Sequence, residues 1–455
     1  IYTVGRTLAA LIVKLPVENG VYAPGLPTPD EEPLFREYIS LYRLLLRATH
    51  PDPEARARVA EDHPVLAGQG PLLLLPGLLM GGAGLLVLRY QPLPPPVHDG
   101  HLATPAELQS WRTTLARLKK RPGIVLGALS NRGGKYVANV ITPQRREYRH
   151  ALVSGATGSG KGDLIINNLL TWPHSVIVLD LGGDAYRYTA GFRAGLGNVY
   201  ALTARGLGHR YSPFQVLGER DEDISDLASY LADHTSDDTS EGADFRERGA
   251  LALKALLYAA RDLGVQDRLG FLLEALRTPK AFKQAVQGGG ERARRTADLF
   301  FGAGDDAYFS SSYGIAAKSV STLDVEGLRM LFGGCDFQVR ELRQQPMTVY
   351  IRMDANTPAE YKAYQLLIRT MFKELERRPG KLPVLVIADE ISANPIPGLP
   401  RALATMRKHQ VPVMVLAQDL EQLRIAYGEA GKATILANCT AKVFLQTVDL
   451  TTARY

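Results

Sequence analysis

A glycine-rich loop between a predicted strand and a predicted helix most constrains the fold of this chain. Residues 151–154 suit a short buried strand, and residues 163–170 carry apolar side chains at helical spacing. The loop between them is Gly155-Ala156-Thr157-Gly158-Ser159-Gly160-Lys161-Gly162. In such a loop the backbone N–H groups cradle phosphate oxygens, and the lysine reaches the β- and γ-phosphates. We therefore predict a P-loop α/β protein that binds ATP through residues 155–163, with Asp163 as the last.

The loop departs from the usual pattern at its final position. The motif normally ends in Ser or Thr, whose hydroxyl binds Mg²⁺, but this chain has Gly162 there. Water could fill the vacant ligand position. Thr157, Ser159 or Asp163 could also supply an oxygen.

A second apolar run, residues 381–388, ends in Asp389 and Glu390. Such runs also end ordinary strands, so the interpretation depends on Lys161 upstream. P-loop enzymes use acids in this position to hold Mg²⁺ and to activate water. We predict that Asp389 binds the metal, directly or through water. Glu390 would orient or deprotonate the attacking water.

A third apolar run, residues 411–417, ends at Gln418. We predict that Gln418 senses the γ-phosphate from the end of a neighbouring strand, and a surface glutamine is the alternative. Residues 175–180, 349–353 and 441–445 supply further apolar runs of strand length. Strands that alternate with helices predict a central, mostly parallel sheet covered on both faces.

The pattern changes between residues 218 and 330, where helical periodicity replaces the strand-like runs. Residues 245–263 predict one long helix. The acid-rich stretch 221–244 is either a solvated surface or a partner-docking face. We therefore predict an all-helical domain, 218–330, inserted between two parts of the nucleotide-binding domain, 96–217 and 331–455.

An uncharged stretch lies near the start of the chain, over residues 64–88. Its length suits a transmembrane helix at about 71–89, and a buried core helix is the alternative. Basic residues follow it, which places the long C-terminal part in the cytoplasm. A proline-rich connector, residues 91–96, then ends a predicted N-terminal membrane region, 1–95.

Composition and charge narrow the remaining possibilities. Hydrophobic residues make up 45% and charged residues 22% of the chain, which argues against disorder as the dominant state. The two cysteines, Cys335 and Cys439, rule out a disulfide framework. Between residues 112 and 150, Glu147 is the only acid among many basic residues. This cluster predicts a surface for nucleic-acid phosphates or for anionic lipid, and both remain open.

Several stretches together resemble a known family. They are residues 150–162, 178–186, 417–423, 427–428, 435–439 and 449–454. In order and spacing they are similar to the type IV secretion coupling proteins, the TraG-like conjugative ATPases. That family often has Gly at the position of Gly162, whereas Gly182 stands where it usually has lysine. Since family members continue past the stretch ending at Tyr455, and the chain starts at Ile1, we expect further residues at both ends.

The resemblance implies a RecA-like P-loop ATPase that forms a homo-hexamer at the bacterial inner (plasma) membrane, with the bulk of the chain cytoplasmic. It would use ATP and Mg²⁺ to deliver substrates to other components of the type IV secretion channel. The expected partners are a DNA–relaxase complex, effector proteins, or both, together with inner-membrane lipid. In such rings a neighbour's arginine can complete each site, and Arg407 is our candidate; an ordinary surface arginine is the alternative.

Two other functions remain open at this stage. One is a chromosome translocase resembling FtsK, against which the inserted helical domain counts. The other is a substrate receptor in which ATP only stabilises the ring.

Overall fold

The chain divides into two compact units, Ile1–Leu102 and Ala103–Tyr455. The structure, a computed structural model, describes residues 17–18, 21–22, 109, 111–130, 136–142, 148–233, 240–302, 306–377, 380–446 and 452. In the first unit, the described strands β1 (Val17–Glu18) and β2 (Val21–Tyr22) pair antiparallel. The predicted membrane segment lies outside the described residues. Among the helices of the described residues, none is long and apolar enough to cross a bilayer.

The second unit begins with a small antiparallel sheet that the sequence analysis did not predict. Its strands are β3 (Arg112–Thr113), β4 (Val125–Ser130) and β5 (Tyr136–Ile141), in the order β3-β5-β4, with the short helix α1 (Leu115–Leu118) after β3. Asn168 ties this sheet to the nucleotide-binding fold. Its side-chain oxygen accepts the Val125 N–H, and its amide donates to the Val125 carbonyl, both at 2.8 Å.

The strands of the main sheet are, in chain order, β6 (His150–Ser154), β7 (Ser175–Leu179), β8 (Asn198–Thr203), β9 (Met347–Arg352), β10 (Val384–Ala388), β11 (Val413–Ala417) and β12 (Cys439–Phe444). These seven strands are all parallel and lie in the order β12-β6-β11-β10-β7-β9-β8. Every residue of β6, β7, β10 and β11 is buried, as expected for central strands. The predicted mostly parallel central sheet is confirmed.

Helices connect these strands. The remaining described helices are α2 (Lys161–Thr171), α3 (Asp184–Ala194), α4 (Pro213–Val216), α5 (Asp221–Ala232), α6 (Ser240–Asp262), α7 (Arg268–Ala275), α8 (Pro279–Gly288), α9 (Glu291–Gly302), α10 (Asp306–Ser321), α11 (Glu326–Phe332), α12 (Pro358–Arg377), α13 (Leu399–Met406) and α14 (Leu420–Asn438). The helix after the glycine loop therefore begins at Lys161, two residues earlier than predicted. The long helix predicted at 245–263 starts at Ser240 and ends at Asp262.

The two faces of the sheet bury different clusters, because alternate residues of a strand point to opposite sides. In β10, Val384, Val386 and Ala388 belong to the larger cluster, whereas Leu385 and Ile387 belong to the smaller one. Helices α2 and α3 supply the smaller cluster, and α12, α13 and α14 the larger. Right-handed crossovers explain this division. From β6 through β7 to β8 the chain crosses the sheet in one direction, with its helices on one face. From β8 back to β12 it crosses in the opposite direction, with its helices on the other face.

All regular structure described between Asp221 and Phe332 is helical. The core of these helices is continuous with the larger cluster on the sheet, so the helical segment packs directly on the nucleotide-binding fold. Lys362 of α12 joins the two parts: its buried ammonium donates to the Leu231 carbonyl (3.3 Å) and the Ser319 carbonyl (2.7 Å). The predicted domain bounds themselves remain predictions.

Candidate nucleotide-binding site

The glycine loop leaves the carboxyl end of β6 and turns sharply into α2. Gly158 and Gly160 have φ values of 79° and 96°, which residues with a side chain rarely adopt. A Cβ on Gly155 would lie 2.5 Å from Ser159 Oγ and 2.8 Å from Leu445 Cβ, so the backbone also needs glycine for close approach. The first N–H groups of α2 have no acceptor within the helix. The loop and helix start can therefore offer several N–H groups to one anion.

Lys161 folds back over this loop. Its Nζ donates to the Gly155 carbonyl at 2.5 Å and to the Ala156 carbonyl at 3.1 Å. The ammonium is thus held beside the same loop whose N–H groups could receive phosphate. A phosphate bound in the loop would therefore lie beside this positive charge.

The three residues that could replace the missing hydroxyl occupy different positions. Ser159 Oγ is buried against Gly155 and has no hydrogen-bond partner among the described residues. Thr157 and Asp163 are exposed. A Cβ on Gly162 would have no atom within 4 Å, so the structure has room for a water molecule there. Crowding is therefore not the reason for glycine at this position.

The acidic pair follows β10 in a tight turn. Asp389 Oδ1 accepts the Glu390 N–H at 2.9 Å, and Glu390 has a left-handed backbone with φ of 49°. The Glu390 carbonyl accepts the N–H groups of Ala393 and Asn394, each at 3.0 Å. This turn leaves the Glu390 side chain exposed and Asp389 mostly buried.

Burial raises the pKa of the Asp389 carboxyl to about 6. The charge of Glu390 contributes to this rise, whereas the hydrogen bond from the Glu390 N–H and the ammonium of Lys161 oppose it. Lys161 and Asp389 are therefore within electrostatic reach of each other, although they are 228 residues apart in sequence. Strand β11 lies between their strands, which sets a separation of roughly 10 Å between the strand axes.

Gln418 follows β11 and so lies between the glycine loop and the acidic pair. Its backbone carbonyl accepts from Ser154 Oγ at 3.4 Å, at the start of the loop. Its side-chain oxygen accepts from the amide of Gln422 at 3.1 Å. The predicted sensor residue is thus next to both other parts of the site.

Arg407 lies at the opposite end of the parallel strands, the amino end. It begins a short 3-10 turn, Arg407–His409, that precedes β11, and its charge contributes to the lowered pKa of His150, the first residue of β6. A five-residue strand spans roughly 17 Å, so Arg407 is about that far from the glycine loop of its own chain. A role for Arg407 in hydrolysis would require the site of a neighbouring subunit.

His150 is held as a neutral ring between two backbone groups. Its Nδ1 accepts the Val413 N–H at 2.9 Å, so Nε2 carries the proton and donates to the Leu403 carbonyl at 2.9 Å. Protonation of Nδ1 would break the first of these bonds. Burial, opposed by the Leu403 bond and assisted by Arg407, lowers the pKa of His150 to about 4 from 6.5.

This lowered pKa predicts a loss of stability in acid. Between pH 6.5 and 4 the unfolded chain binds a proton at His150 that the folded chain does not. The contribution of neutral His150 to the free energy of unfolding is therefore complete above pH 6.5 and falls by about 2 kcal/mol by pH 5. Urea unfolding of wild type and His150→Asn at pH 7.5 and pH 5 measures it: the stability advantage of wild type should shrink by that amount. An advantage that is equal at both pH values would contradict the assignment.

Asp180 is a site residue to which the sequence analysis gave no role. It follows β7, the strand next to β10, and accepts the N–H groups of Ala185 (3.1 Å) and Tyr186 (2.8 Å) at the start of α3. Burial raises the pKa of Asp180, and its charge in turn raises the pKa of Asp389. Its position directly after an apolar run was the available signal, but the neighbouring strand could not be known from sequence.

The residues fit a magnesium ion that is bound together with phosphate. No group of three or more His, Cys, Asp or Glu side chains within the described ranges could hold a metal alone. Mg²⁺ commonly takes one or two carboxylates and completes its shell with water and substrate phosphates. Asp389 has one oxygen that accepts no hydrogen bond within the described part of the chain, and it is available for this purpose.

A parallel sheet that carries a glycine loop, an intervening strand and an acidic pair at its carboxyl edge has the architecture of the P-loop class. The profile of the family described as "Type IV secretory system Conjugative DNA transfer" matches residues 102–455. The chain belongs to this family, which confirms the resemblance seen in the sequence.

Individual relatives agree with this assignment. The chain is 25% identical to VirD4 of Rhizobium radiobacter over 358 residues, which cover 71% of this chain and 48% of VirD4. It is 24% identical to VirD4 of Agrobacterium fabrum over 355 residues, covering 71% and 50%. The chain thus spans about half the length of these curated relatives.

Solved structures show the same fold. The conjugative coupling protein TrwB, bound to the non-hydrolysable ATP analogue ADPNP, superposes with a TM-score of 0.52 at 19% identity, over 73% of this chain and 78% of TrwB. Unbound TrwB gives a TM-score of 0.52 at 19% identity, over 72% and 74%. At this identity the likeness supports the fold alone.

Proposed function

We propose that this chain is the motor part of a type IV secretion coupling protein. It would be a membrane-anchored, hexameric ATPase that recruits DNA, protein or both and delivers them to the secretion channel. The observation that carries the proposal is the meeting of Lys161, Gln418 and the Asp389–Glu390 pair at one edge of the sheet, within a fold of this family. Solved TrwB structures with ADPNP, and with ADP and Mg²⁺, support ATP and Mg²⁺ as ligands.

Each residue of the site has a separate role in the proposed hydrolysis, according to its position. The loop of residues 155–163 holds the phosphates, with Lys161 balancing their charge. Asp389 holds Mg²⁺, which when bound neutralises phosphate charge. Glu390, exposed beside it, orients the attacking water and accepts its proton. Gln418 contacts the γ-phosphate from the strand between.

The expected partners follow from the family. They are further copies of the chain, other channel components, a DNA–relaxase complex or effector proteins, and inner-membrane lipid. The side chains of Arg112, Arg117, Lys119, Lys120 and Arg121 are all exposed, and they offer a basic surface for nucleic-acid or lipid phosphates.

Arg407 provides a test of the ring ATPase. We propose that it completes the neighbouring subunit's site, so Arg407→Ala and Glu390→Gln chains should each be nearly inactive alone. In an equal mixture, an intact site needs Glu390 from one subunit and Arg407 from its neighbour. This occurs where an Arg407→Ala subunit, which keeps Glu390, has a Glu390→Gln neighbour, which keeps Arg407. Such sites form about a quarter of the total, so about a quarter of wild-type hydrolysis should return.

The control for this experiment is Arg401→Ala, an exposed arginine on the preceding helix, which should hydrolyse ATP like wild type. Hydrolysis is measured as phosphate release at several mixing ratios. A mixture no more active than its two components would contradict action between subunits. Hydrolysis by Arg407→Ala alone at the wild-type rate would remove Arg407 from the site.

A further inference from the structure

A cavity of about 320 Å³ opens at the carboxyl edge of the main sheet, away from the glycine loop. It is lined by residues at the ends of β7, β8 and β9, together with Glu360 at the start of α12. Strand β9 lies four strand spacings from β6, roughly 19 Å, so the cavity is separate from the phosphate loop. Parallel sheets bind ligands beyond the carboxyl ends of their strands, in pockets of about this size or larger. Its position and size therefore suit a second ligand.

Arg352, the last residue of β9, is held in place beside this cavity. Its guanidinium carbon lies 4.4 Å from the centre of the Tyr186 ring, and that ring packs edge-on against Tyr350 at 5.3 Å. The guanidinium also passes close to Gly183, where a Cβ would lie 3.2 Å from Nη2 and 3.5 Å from Nε. Aromatic packing and a close approach at glycine thus hold the arginine at the cavity wall.

Two neighbouring polar atoms of the lining have no partner. The Nε of Arg352 and the Oγ1 of Thr203 are both buried, and neither has a hydrogen bond to a described residue. The two residues are direct partners in the register of β8 and β9, and both line the cavity. A buried polar group without a partner costs roughly 1–3 kcal/mol. This pair therefore points to a ligand that carries hydrogen-bond acceptors.

The charged groups of the cavity do not neutralise one another. The positive groups are Arg205 and Arg352, and the negative groups are Asp354 and Glu360. Within the described part of the chain, no ion pair joins either arginine to either of these acids. Asp180, another acid near Arg352, already accepts two N–H groups of α3. The lining therefore offers separate donors and acceptors to one ligand.

A phosphodiester fits these groups better than a free phosphate does. It carries one negative charge, which guanidinium groups can bind with paired N–H donors, whereas the two carboxylates would repel a dianion. The same carboxylates can accept the amino group of an unpaired base or a sugar hydroxyl. Only a single strand can turn its bases out of a helix for such contacts. Arg205 and Leu207 of the lining are exposed, so a longer strand could continue past the cavity.

We propose that this cavity binds one nucleotide unit of single-stranded nucleic acid. Arg205 and Arg352 contact its phosphodiester, and the two carboxylates accept from its base or sugar. Strand β7 alone separates β9 from β10, the strand that ends at the acidic pair, so the site is close to the residues proposed to act on ATP. The inference deepens the proposed function by naming one substrate class and the residues that hold it, and it rests on that function for the use of ATP.

Arg352→Gln and Arg205→Gln test the proposal, and Arg187→Gln is the matched control. Arg187 lies on α3, is exposed, and stacks on the Tyr188 ring at 5.6 Å, but it does not line the cavity. All three substitutions remove one positive charge. Since Arg205 is exposed, its variant should fold even if Arg352→Gln does not.

The measurement is the fluorescence anisotropy of a labelled oligodeoxycytidine strand over a series of salt concentrations. Saturating ADPNP and Mg²⁺ are present, so that the glycine loop is occupied. In each cavity variant the affinity should fall about 10-fold, the usual value of one hydrogen bond to a charged group. The slope of log affinity against log salt should also become shallower by about 0.7, which corresponds to one phosphate contact on a single strand.

The controls decide whether the effect belongs to the cavity. Arg187→Gln should match wild type in affinity and slope, and cytidine monophosphate should not displace the strand. A duplex of the same length should bind wild type and the cavity variants alike. Unchanged binding of the strand by the cavity variants, or an equal loss in Arg187→Gln, would overturn the proposal. An equal loss for the duplex would overturn the assignment to a single strand.

Strand binding and hydrolysis separate this inference from the proposed function. If wild type binds the strand and the cavity variants lose affinity, but wild type hydrolyses no ATP, the motor proposal fails and the binding site stands. If wild type hydrolyses ATP and both cavity variants bind the strand like wild type, only the binding site fails. A wild type that does not bind the strand overturns this inference, whereas its hydrolysis of ATP still tests the motor.

Discussion

Lys161→Ala is expected to lower ATP hydrolysis by roughly 100- to 1000-fold, the usual cost of removing a group that stabilises transition-state charge. The lysine is held over the loop by hydrogen bonds to the Gly155 and Ala156 carbonyls. Its positive charge lowers the pKa of Asp389. Alanine removes the ammonium but leaves the glycine turns intact. Phosphate release by the purified chain, with substrate transfer in cells, measures the effect.

The control for Lys161 is Lys280→Ala, an exposed lysine on α8 in the helical segment. It removes one positive charge, as Lys161→Ala does, but at a residue distant in sequence from the loop. It should therefore leave hydrolysis unchanged. Thermal unfolding should show that both variants remain folded, since Lys161 makes two hydrogen bonds worth about 1 kcal/mol each. Undiminished hydrolysis and transfer by Lys161→Ala would end the motor hypothesis.

Glu390→Gln is expected to lower the hydrolysis rate by roughly 100- to 10,000-fold while nucleotide affinity is retained. The amide has the shape of the carboxylate but cannot take a proton from water at neutral pH. Glutamine can also keep the turn, because the left-handed backbone at this position, with φ of 49°, places the same demand on both residues. Single-turnover hydrolysis together with equilibrium nucleotide binding separates the two quantities.

Substrate transfer by the same variant separates two functions. A coupling motor requires hydrolysis, so transfer should fall with the rate in Glu390→Gln. Glu222→Gln, an exposed acid on α5, is the control and should transfer like wild type. Normal transfer by a Glu390→Gln variant that binds but does not hydrolyse ATP would instead favour a receptor in which ATP only stabilises the ring.

Local chemistry made much of the site predictable. The glycine loop could be placed between a strand and a helix because its positive φ values and close approach at Gly155 permit few other residues. Asp389 and Gln418 could be assigned to strand ends, since apolar runs of strand length stop directly before them. The parallel sheet followed from alternating strands and helices, and the structure has this arrangement.

Other features had no local signal. The strands of the small antiparallel sheet are short and mix polar with apolar residues, so they show no regular pattern of apolar residues that would predict a strand. The edge strand β8 is only partly buried and was also missed. Helix ends shifted by up to five residues from prediction, because capping and tertiary packing decide where a helix starts.

The sequence by itself determined the P-loop unit, the acidic strand end and the family, because these depend on residues adjacent along the chain. Only the tertiary structure decided the strand order, which puts β11 and Gln418 between the loop and the acidic pair. It also decided that Arg407 lies at the amino end of β11, away from the glycine loop of its own chain. These relations join residues far apart in sequence, and only packing of the whole sheet brings them together.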